Sequence, residues 1–333
     1  MAFDLTIPGD SNLLTALATA TGSPSHDGKL VLPESLGIGY IQSVSLGRLL
    51  KLMVHQYELK QDVQLRKAGA PTGRGMVVFS FRNVFQPSAP ATIATEPAAR
   101  PARPLPTVRV SSADMDFELF TPAHTTVNAI IIAADAALFS SLLPEMGSHE
   151  VLHSVITGSQ PFLYEAILSP PMQAVAAQLV AADAPPTLRT YYLKLKAEEL
   201  IFLFLVELLK RGQASIYPLN VDDARKLYQL RDQLLADLST PPSLPALARH
   251  SGFSESKMKR LFRQVFGTSI YSYYQAARMQ EAMLLLQSQQ FTVSEVGNQL
   301  GFINLSHFTR LFERHVGFKP KQFSKNQGLV SEK

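Results

Sequence analysis

Apolar residues change their rhythm twice along this 333-residue chain. Between Ile38 and about Ile132 they come in short runs rich in β-branched and aromatic side chains: IQSVSLGRLLKLMVHQYEL, MVVFSFRNVF, TVRVSSADMDFELF and VNAIIIAA. Clusters of Gly, Pro and Asn separate them. Runs of that length and composition predict β-strands. Residues 1–35 show little periodicity and are expected to be an N-terminal tail. Pro87 to Pro106 is rich in Pro and Ala, so 86–107 reads as a loop between strands. After Ala133 the pattern turns helical. PFLYEAIL and PMQAVAAQLVAA each begin on a proline, and LRTYYLKLKAEELIFLFLVELLKRG predicts one long helix ending at Lys210, Arg211 and Gly212. Its second half is apolar nearly all round, which requires burial on more than one side. One side would meet the β region. The other would meet either more of the same subunit or, through 187–211, a second copy.

From Val221 onward every predicted element is a helix, and two stretches repeat. SLPALARHSGF (243–253) aligns with TVSEVGNQLGF (292–302), one residue is inserted just afterwards, and SESKMKRLFRQVFG then parallels NLSHFTRLFERHVG. Internal repeats define architecture, and this one predicts two helix-turn-helix units, 243–266 and 292–316. In the first helices Leu244 and Leu247 match Val293 and Val296 as core positions. Ala248 matches Gly297, small residues where a second helix can cross closely. Gly252 and Gly301 end those helices where a left-handed residue is needed, with Phe253 and Phe302 packing beneath. Thr292 with Glu295 forms a capping-box pattern, and Ser243 and Ser254 are candidate N-caps.

The second helix of each unit divides into an apolar back and a polar, basic front. Met258, Leu261, Phe262 and Val265 form one back; Phe308, Leu311, Phe312 and Val316 form the other. The fronts carry Ser256, Lys259, Arg260 and Arg263, and Asn304, Ser306, His307, Arg310 and Arg314. Any surface helix has a charged outer face, but this form, held by a preceding short helix, is what a major groove accepts. Arginine can bridge guanine O6 and N7, asparagine can do the same for adenine, and Leu305 is placed to touch a thymine methyl. Arg260 and Arg310 are the leading base contacts; Lys257, Lys319 and Lys321 are candidates for phosphate. The predicted helix between the units, about 20 residues, would be ~30 Å long, close to the ~34 Å turn of B-DNA. Double-stranded DNA is therefore the expected partner.

Charge strengthens this picture. From Val221 to the end there are 15 Lys/Arg against 9 Asp/Glu, while the rest of the chain holds 16 against 18. A basic C-terminal third beside a slightly acidic body suits a polyanion. With 46% hydrophobic residues the chain can fill real cores, and with no cysteine it has neither disulfides nor thiolate metal sites. No secretory signal is apparent, and the longest apolar run, LIFLFLV, is far short of the ~20 residues a bilayer requires. A soluble, cytoplasmic protein with no membrane partner and no cofactor is expected.

One motif belongs to another class. His149-Glu150-Val151-Leu152-His153 matches H-E-x-x-H, which on a helix offers His149 and His153 to zinc with the glutamate as base. Pro144, Gly147 and Gly158 crowd it, and only Glu165 suggests itself as a third ligand, so a metallopeptidase is the lesser reading. In the β region Arg48, His55, Tyr57 and Arg82 are candidates to contact a small ligand, though each also fits as an ordinary strand residue.

Residues 222–326 resemble the DNA-binding domain of AraC/XylS transcriptional regulators, through Gly301, Phe302, Ser306, Phe308, Arg310, Phe312, Gly317, Pro320 and Phe323, and through Arg278-Met279 with Ala282 and Leu285. Gly297, Ile270 and Ser324 depart from the residues usual there. The resemblance places base-facing positions on Ser256, Lys259, Arg260, Ser306, His307 and Arg310. It implies an α+β chain of two domains: a cupin-like β-barrel with a helical dimerisation element over 36–220, and an all-α domain over 221–333. It further implies a small-molecule effector, a homodimer, and RNA polymerase as partner if the protein activates. SIYSYYQAARMQEAMLLL looks most like the siderophore-responsive branch. An orphan regulator without a ligand is the alternative.

Overall fold

The computed structural model describes residues 3–7, 13–67, 75–84, 105–113, 117–142, 152–153, 155, 162–211, 219 and 221–328. The chain divides into two compact units, with the boundary between Val221 and Asp222.

The first unit is built on two sheets. The larger has seven strands, all antiparallel to their neighbours. In chain order they are β2 (Lys29–Val31), β3 (Gly37–Ser45), β4 (Leu50–Leu59), β6 (Met76–Arg82), β7 (Thr107–Ser112), β9 (Thr126–Asp135) and β10 (Leu163–Ile167). They lie in the order β10-β7-β6-β9-β4-β3-β2. The smaller sheet sets β1 (Phe3–Ile7) parallel to β5 (Val63–Lys67), which pairs antiparallel with β8 (Phe117–Thr121). Strand alternation splits the large sheet into two faces. Leu50, Leu52 and Val54, with Val77, Phe79, Phe81, Ile130 and Ile132, join one core. Tyr57 and Leu59 join a second cluster with Leu14, Leu30, Leu32 and Ile41.

Besides α1 (Leu13–Thr21), the described helices of this unit include α2 (Ala136–Leu142), α3 (Pro170–Ala181) and α4 (Arg189–Leu209). Proline occupies the first turn of α3, where its missing N–H is no loss. Met172, Val175, Ala176 and Leu179 of α3 and Leu193, Ala197, Leu200, Ile201, Phe204, Leu205 and Leu208 of α4 complete the large core. Phe204 meets Phe79 edge-on at 5.8 Å between centroids. Only one side of α4 is covered, however. Leu188, Tyr191, Leu195, Phe202 and Leu209 are exposed, Phe202 to 62%.

Two expectations are corrected. The supposed N-terminal tail contains β1, α1 and β2. Phe3–Ile7 gains its structure by pairing with Val63–Lys67, a distant partner that no local periodicity announces. PFLYEAIL is not a helix: Leu163–Ile167 is a strand registered on Thr107–Ser112. There Leu163 and Tyr164 are buried, and tertiary pairing outweighs the proline signal at 161. The 86–107 segment lies largely outside the described residues.

The second unit is helical: α5 (Val221–Ala236), α6 (Leu244–Ser251), α7 (Glu255–Phe266), α8 (Ile270–Gln287), α9 (Val293–Gln299), α10 (Leu305–Val316) and α11 (Pro320–Gly328). Helix α8 is its axis. Its first half packs Tyr273 against Phe262 and Phe266 of α7, at 5.5 and 5.3 Å. Its second half gives Met279, Ala282, Leu285 and Leu286 to a core with Val296, Leu300, Phe302, Phe308, Phe312 and Phe323. Among the described residues, no helix is long and apolar enough to cross a membrane.

Candidate nucleic-acid interface

Helices α6 and α7 make the first helix-turn-helix unit. Gly252 turns the chain between them at φ +67°, a left-handed conformation that glycine adopts without a Cβ penalty. Ser254 caps α7, its hydroxyl accepting from the Lys257 N–H at 3.3 Å. Ser243 holds the N-cap position of α6 in extended geometry but makes no side-chain cap bond. Met258, Leu261, Phe262 and Val265 are buried. Ser256, Lys259, Arg260 and Arg263 are thereby left exposed on the opposite side of α7.

Helices α9 and α10 repeat the plan. Thr292 and Glu295 form the reciprocal capping box, Thr292 N–H donating to Glu295 Oε2 at 2.7 Å and Glu295 N–H to Thr292 Oγ1 at 3.2 Å. Those bonds hold the Glu295 carboxyl below its ordinary range. Gly297 is where the helices approach: a Cβ there would stand 2.6 Å from Leu305 Cδ2 and 3.3 Å from Phe308 Cδ1. Asn304 caps α10, its Oδ1 accepting from the N–H groups of Ser306 at 2.9 Å and His307 at 3.1 Å. Phe308 and Phe312 are buried, while Ser306, His307, Arg310 and Arg314 are exposed.

This geometry alters three of the expected contacts. The Asn304 carbonyl oxygen is committed to the helix cap, so the bidentate adenine contact would have to break it. Leu305 is half-buried against Gly297 and is not placed for a thymine. Lys257 is already engaged: its Nζ sits 3.0 Å from Asp223 Oδ1 on α5 and over the Phe253 ring, with 42% of its side chain exposed. Lys319 and Lys321 are exposed at the start of α11.

The structure adds Arg278, read from the sequence only as part of the interhelix pattern. It is buried in α8, donates to the Leu300 carbonyl at the end of α9 and to Gln275 Oε1 at 3.3 Å, and lies 3.7 Å from the Phe302 ring centroid. Burial pulls its pKa below the ordinary arginine value. An arginine among the core-facing positions Tyr274, Ala277, Met279 and Ala282 is the signal that could have marked it, and its contacts tie the second unit to the axis.

In the first unit His55, Tyr57 and Arg82 come together on the sheet face opposite the large core. His55 and Tyr57 lie 6.0 Å apart between ring centroids. His55 is 5% exposed and its Nε2 makes no hydrogen bond among the described residues. Burial, aided by the Arg82 charge, lowers its pKa to about 4; burial raises that of Tyr57 to about 12, against the pull of Arg82. Arg48 is apart from them, exposed in the β3–β4 turn. Of the zinc pattern, His149 lies outside the described residues, and Glu165 is buried on β10, its carbonyl bonded to the Arg211 guanidinium. No group of three or more His, Cys, Asp or Glu that could hold a metal occurs among the described residues.

The geometry is that of a tandem helix-turn-helix domain, and residues 247–326 match the family model described as a helix-turn-helix domain. More narrowly, the relatives the chain is similar to are bacterial transcription regulators. The chain is 32% identical over 130 residues to the arabinose operon regulatory protein of Escherichia coli K12, covering 38% of this chain and 44% of that one. It is 33% identical over 123 residues to the regulatory protein PchR of Pseudomonas aeruginosa, covering 37% and 42%. Among solved structures, an AraC-type transcriptional regulator from Chromobacterium violaceum matches at 27% identity and a TM-score of 0.31, over 32% of this chain and 96% of that one. The match thus spans less than half the length of these curated relatives. Both relatives are named as regulatory proteins.

Proposed function

We propose that the chain is a sequence-specific DNA-binding transcription regulator that reads two successive major grooves. The observation that carries this is a pair of basic-fronted helices, α7 and α10, each backed by buried aromatics and both built on α8. At 18 residues, α8 is about 27 Å long, within reach of the ~34 Å groove repeat. Ser256, Lys259, Arg260 and Arg263 would face one half-site; Ser306, His307, Arg310 and Arg314 would face the next; Lys319 and Lys321 would meet phosphate. In vitro selection from random duplexes with the full chain should return two half-sites about 10 bp apart, centre to centre. Arg310→Ala should weaken binding by about 1–3 kcal/mol and relax one base pair. A single half-site, or an Arg310→Ala protein with full selectivity, would refute the reading.

The first unit is proposed to control the second. His55, Tyr57 and Arg82 mark the face where a small effector would bind; the siderophore class rests on the resemblance alone. Dimerisation is assigned to α4. Leu188 at its N-cap and Leu195, Phe202 and Leu209 along it recur every seven residues, all exposed, the spacing of a seam between two helices. Light scattering should show a dimer that Phe202→Glu converts to monomer; a wild-type monomer at working concentrations would remove the interface. A cytoplasmic location, and RNA polymerase as partner of an activator, follow from the same proposal.

A further inference from the structure

The two helix-turn-helix units differ by one inserted residue, and the structure shows where it goes. In the first, Phe253 is followed directly by the N-cap Ser254. In the second, Phe302 and the N-cap Asn304 are separated by Ile303. Phe302 is held in the core at 4% exposure, and Asn304 is held by its two cap bonds. The extra residue has nowhere to go but outward, and Ile303 is 104% exposed, against 66% for Ile38, the next highest among the exposed large apolar residues. An isolated exposed apolar side chain is ordinary. One that an insertion places at the leading end of α10, beside the exposed Ser306, His307 and Arg310, is not, because the N-terminal end of a recognition helix is what approaches base edges.

We propose that Ile303 is a specificity-determining residue that reads the 5-methyl group of a thymine in the half-site of the second unit. The inference rests on the DNA-reading function proposed above. Among base edges in the major groove the thymine methyl is the apolar feature, and it is the feature an isoleucine can recognise. Ile303 takes over the role that the sequence suggested for Leu305, which packs inward on Gly297. Having no counterpart of Ile303, the first unit reads its half-site by polar groups, so the two half-sites are unequal and the chain binds in one orientation.

The test uses the full chain and the duplex it selects from a random pool. Each thymine is replaced in turn by deoxyuridine, which deletes the methyl and keeps every hydrogen-bonding group. At one thymine, in the half-site where Arg310→Ala relaxes selectivity, the wild-type protein should bind about fourfold more weakly, the effect of one buried methyl group. Ile303→Ala should bind thymine and deoxyuridine there equally and keep wild-type discrimination elsewhere; Ile303→Val should keep most of the difference. Because the side chain is solvent-exposed, both variants should unfold as the wild type does. The proposal is overturned if no thymine shows a methyl effect, or if Ile303→Ala preserves the effect wherever it occurs. It is equally overturned if Ile303→Ala leaves binding untouched and lowers transcription in a purified system, since the residue would then face the polymerase. Failure to select any duplex would overturn the DNA-reading function and this inference together.

Discussion

Gly252 and Gly301 occupy the same turn in two copies of one motif, with φ of +67° and +74°, yet their surroundings are opposite. A Cβ built on Gly252 meets nothing within 4 Å. One built on Gly301 overlaps the Ser239 carbonyl oxygen and lies 2.8 Å from its carbon. The Ser239 turn cannot retreat easily. Asp237 Oδ1 accepts from the Ser239 N–H at 2.8 Å, its Oγ at 2.6 Å and the Thr240 N–H at 3.3 Å. These bonds hold the Asp237 carboxyl at a pKa of about 2. Alanine at either position bears the left-handed penalty of roughly 1–2 kcal/mol. At Gly301 it adds an overpacking penalty of about 1–3 kcal/mol. The difference between Gly301→Ala and Gly252→Ala, in which the backbone contribution cancels, should therefore be about 1–3 kcal/mol. The whole chain has two units, so one unfolding curve would mix them. Hydrogen exchange of peptides from 221–328 reads the C-terminal unit separately. Equal losses in the two variants would show that the Ser239 carbonyl does not confine Gly301 and that the contact is incidental.

His55 titrates near 6.5 when unfolded and about 4 when folded, so the unfolded state takes up the proton first and the first unit loses stability as pH falls from 6.5 towards 4. The contribution at the low end is about 3 kcal/mol; in His55→Phe that part of the pH slope should vanish from hydrogen exchange of 13–67, and an unchanged slope would mean the imidazole is not buried neutral. Lys257→Met should destabilise the α5–α7 packing and leave the salt dependence of DNA binding unaltered, whereas Lys321→Ala should reduce the slope of log K against log salt by about 1; the reverse result would exchange their roles. Arg278→Met deprives the Leu300 carbonyl of a charged donor, a loss of about 2 kcal/mol. It should loosen the second half-site at all of its positions together, and relaxation at one base pair alone would make Arg278 a reader instead of a brace.

The helical unit was legible because its determinants are local. Apolar positions at helical spacing, glycines at the turns and a Thr-x-x-Glu box all lie within a dozen residues of what they control, and they gave α7, α10 and their outward faces. The sheets were legible only where a strand carries its own alternation, as in β4 or β9. Strands β1, β5 and β10 owe their form to partners about 60, 60 and 55 residues away in the chain, a distance over which hydrophobic periodicity is silent. The same limit explains the functional residues that moved. Asn304 has the composition of an adenine reader, but two backbone N–H groups one turn ahead claim its oxygen first. Nothing in SESKMKR says that Asp223 lies within reach of Lys257, and nothing in GFINLS says which of Ile303 and Leu305 faces out.

Lys257 and Lys259 show how far charge alone misleads. They are two residues apart and therefore about 200° apart around α7. Lys259 pairs with Glu255 at 2.9 Å, both side chains about half exposed. A pair of that kind contributes ~0–1 kcal/mol, so exchanging Glu255 for a phosphate or a guanine opposes binding little. Lys257 pairs with a carboxylate whose side chain is 10% exposed, and drawing the lysine away would strip a cation from a desolvated acid, which is far more costly than parting a surface pair. On the second unit Arg310 and Arg314 form no ion pair among the described residues and need give up nothing. The two lysines, 42% and 51% exposed, are therefore separated not by their own burial or by net charge but by the acid each meets, buried for Lys257 and half exposed for Lys259.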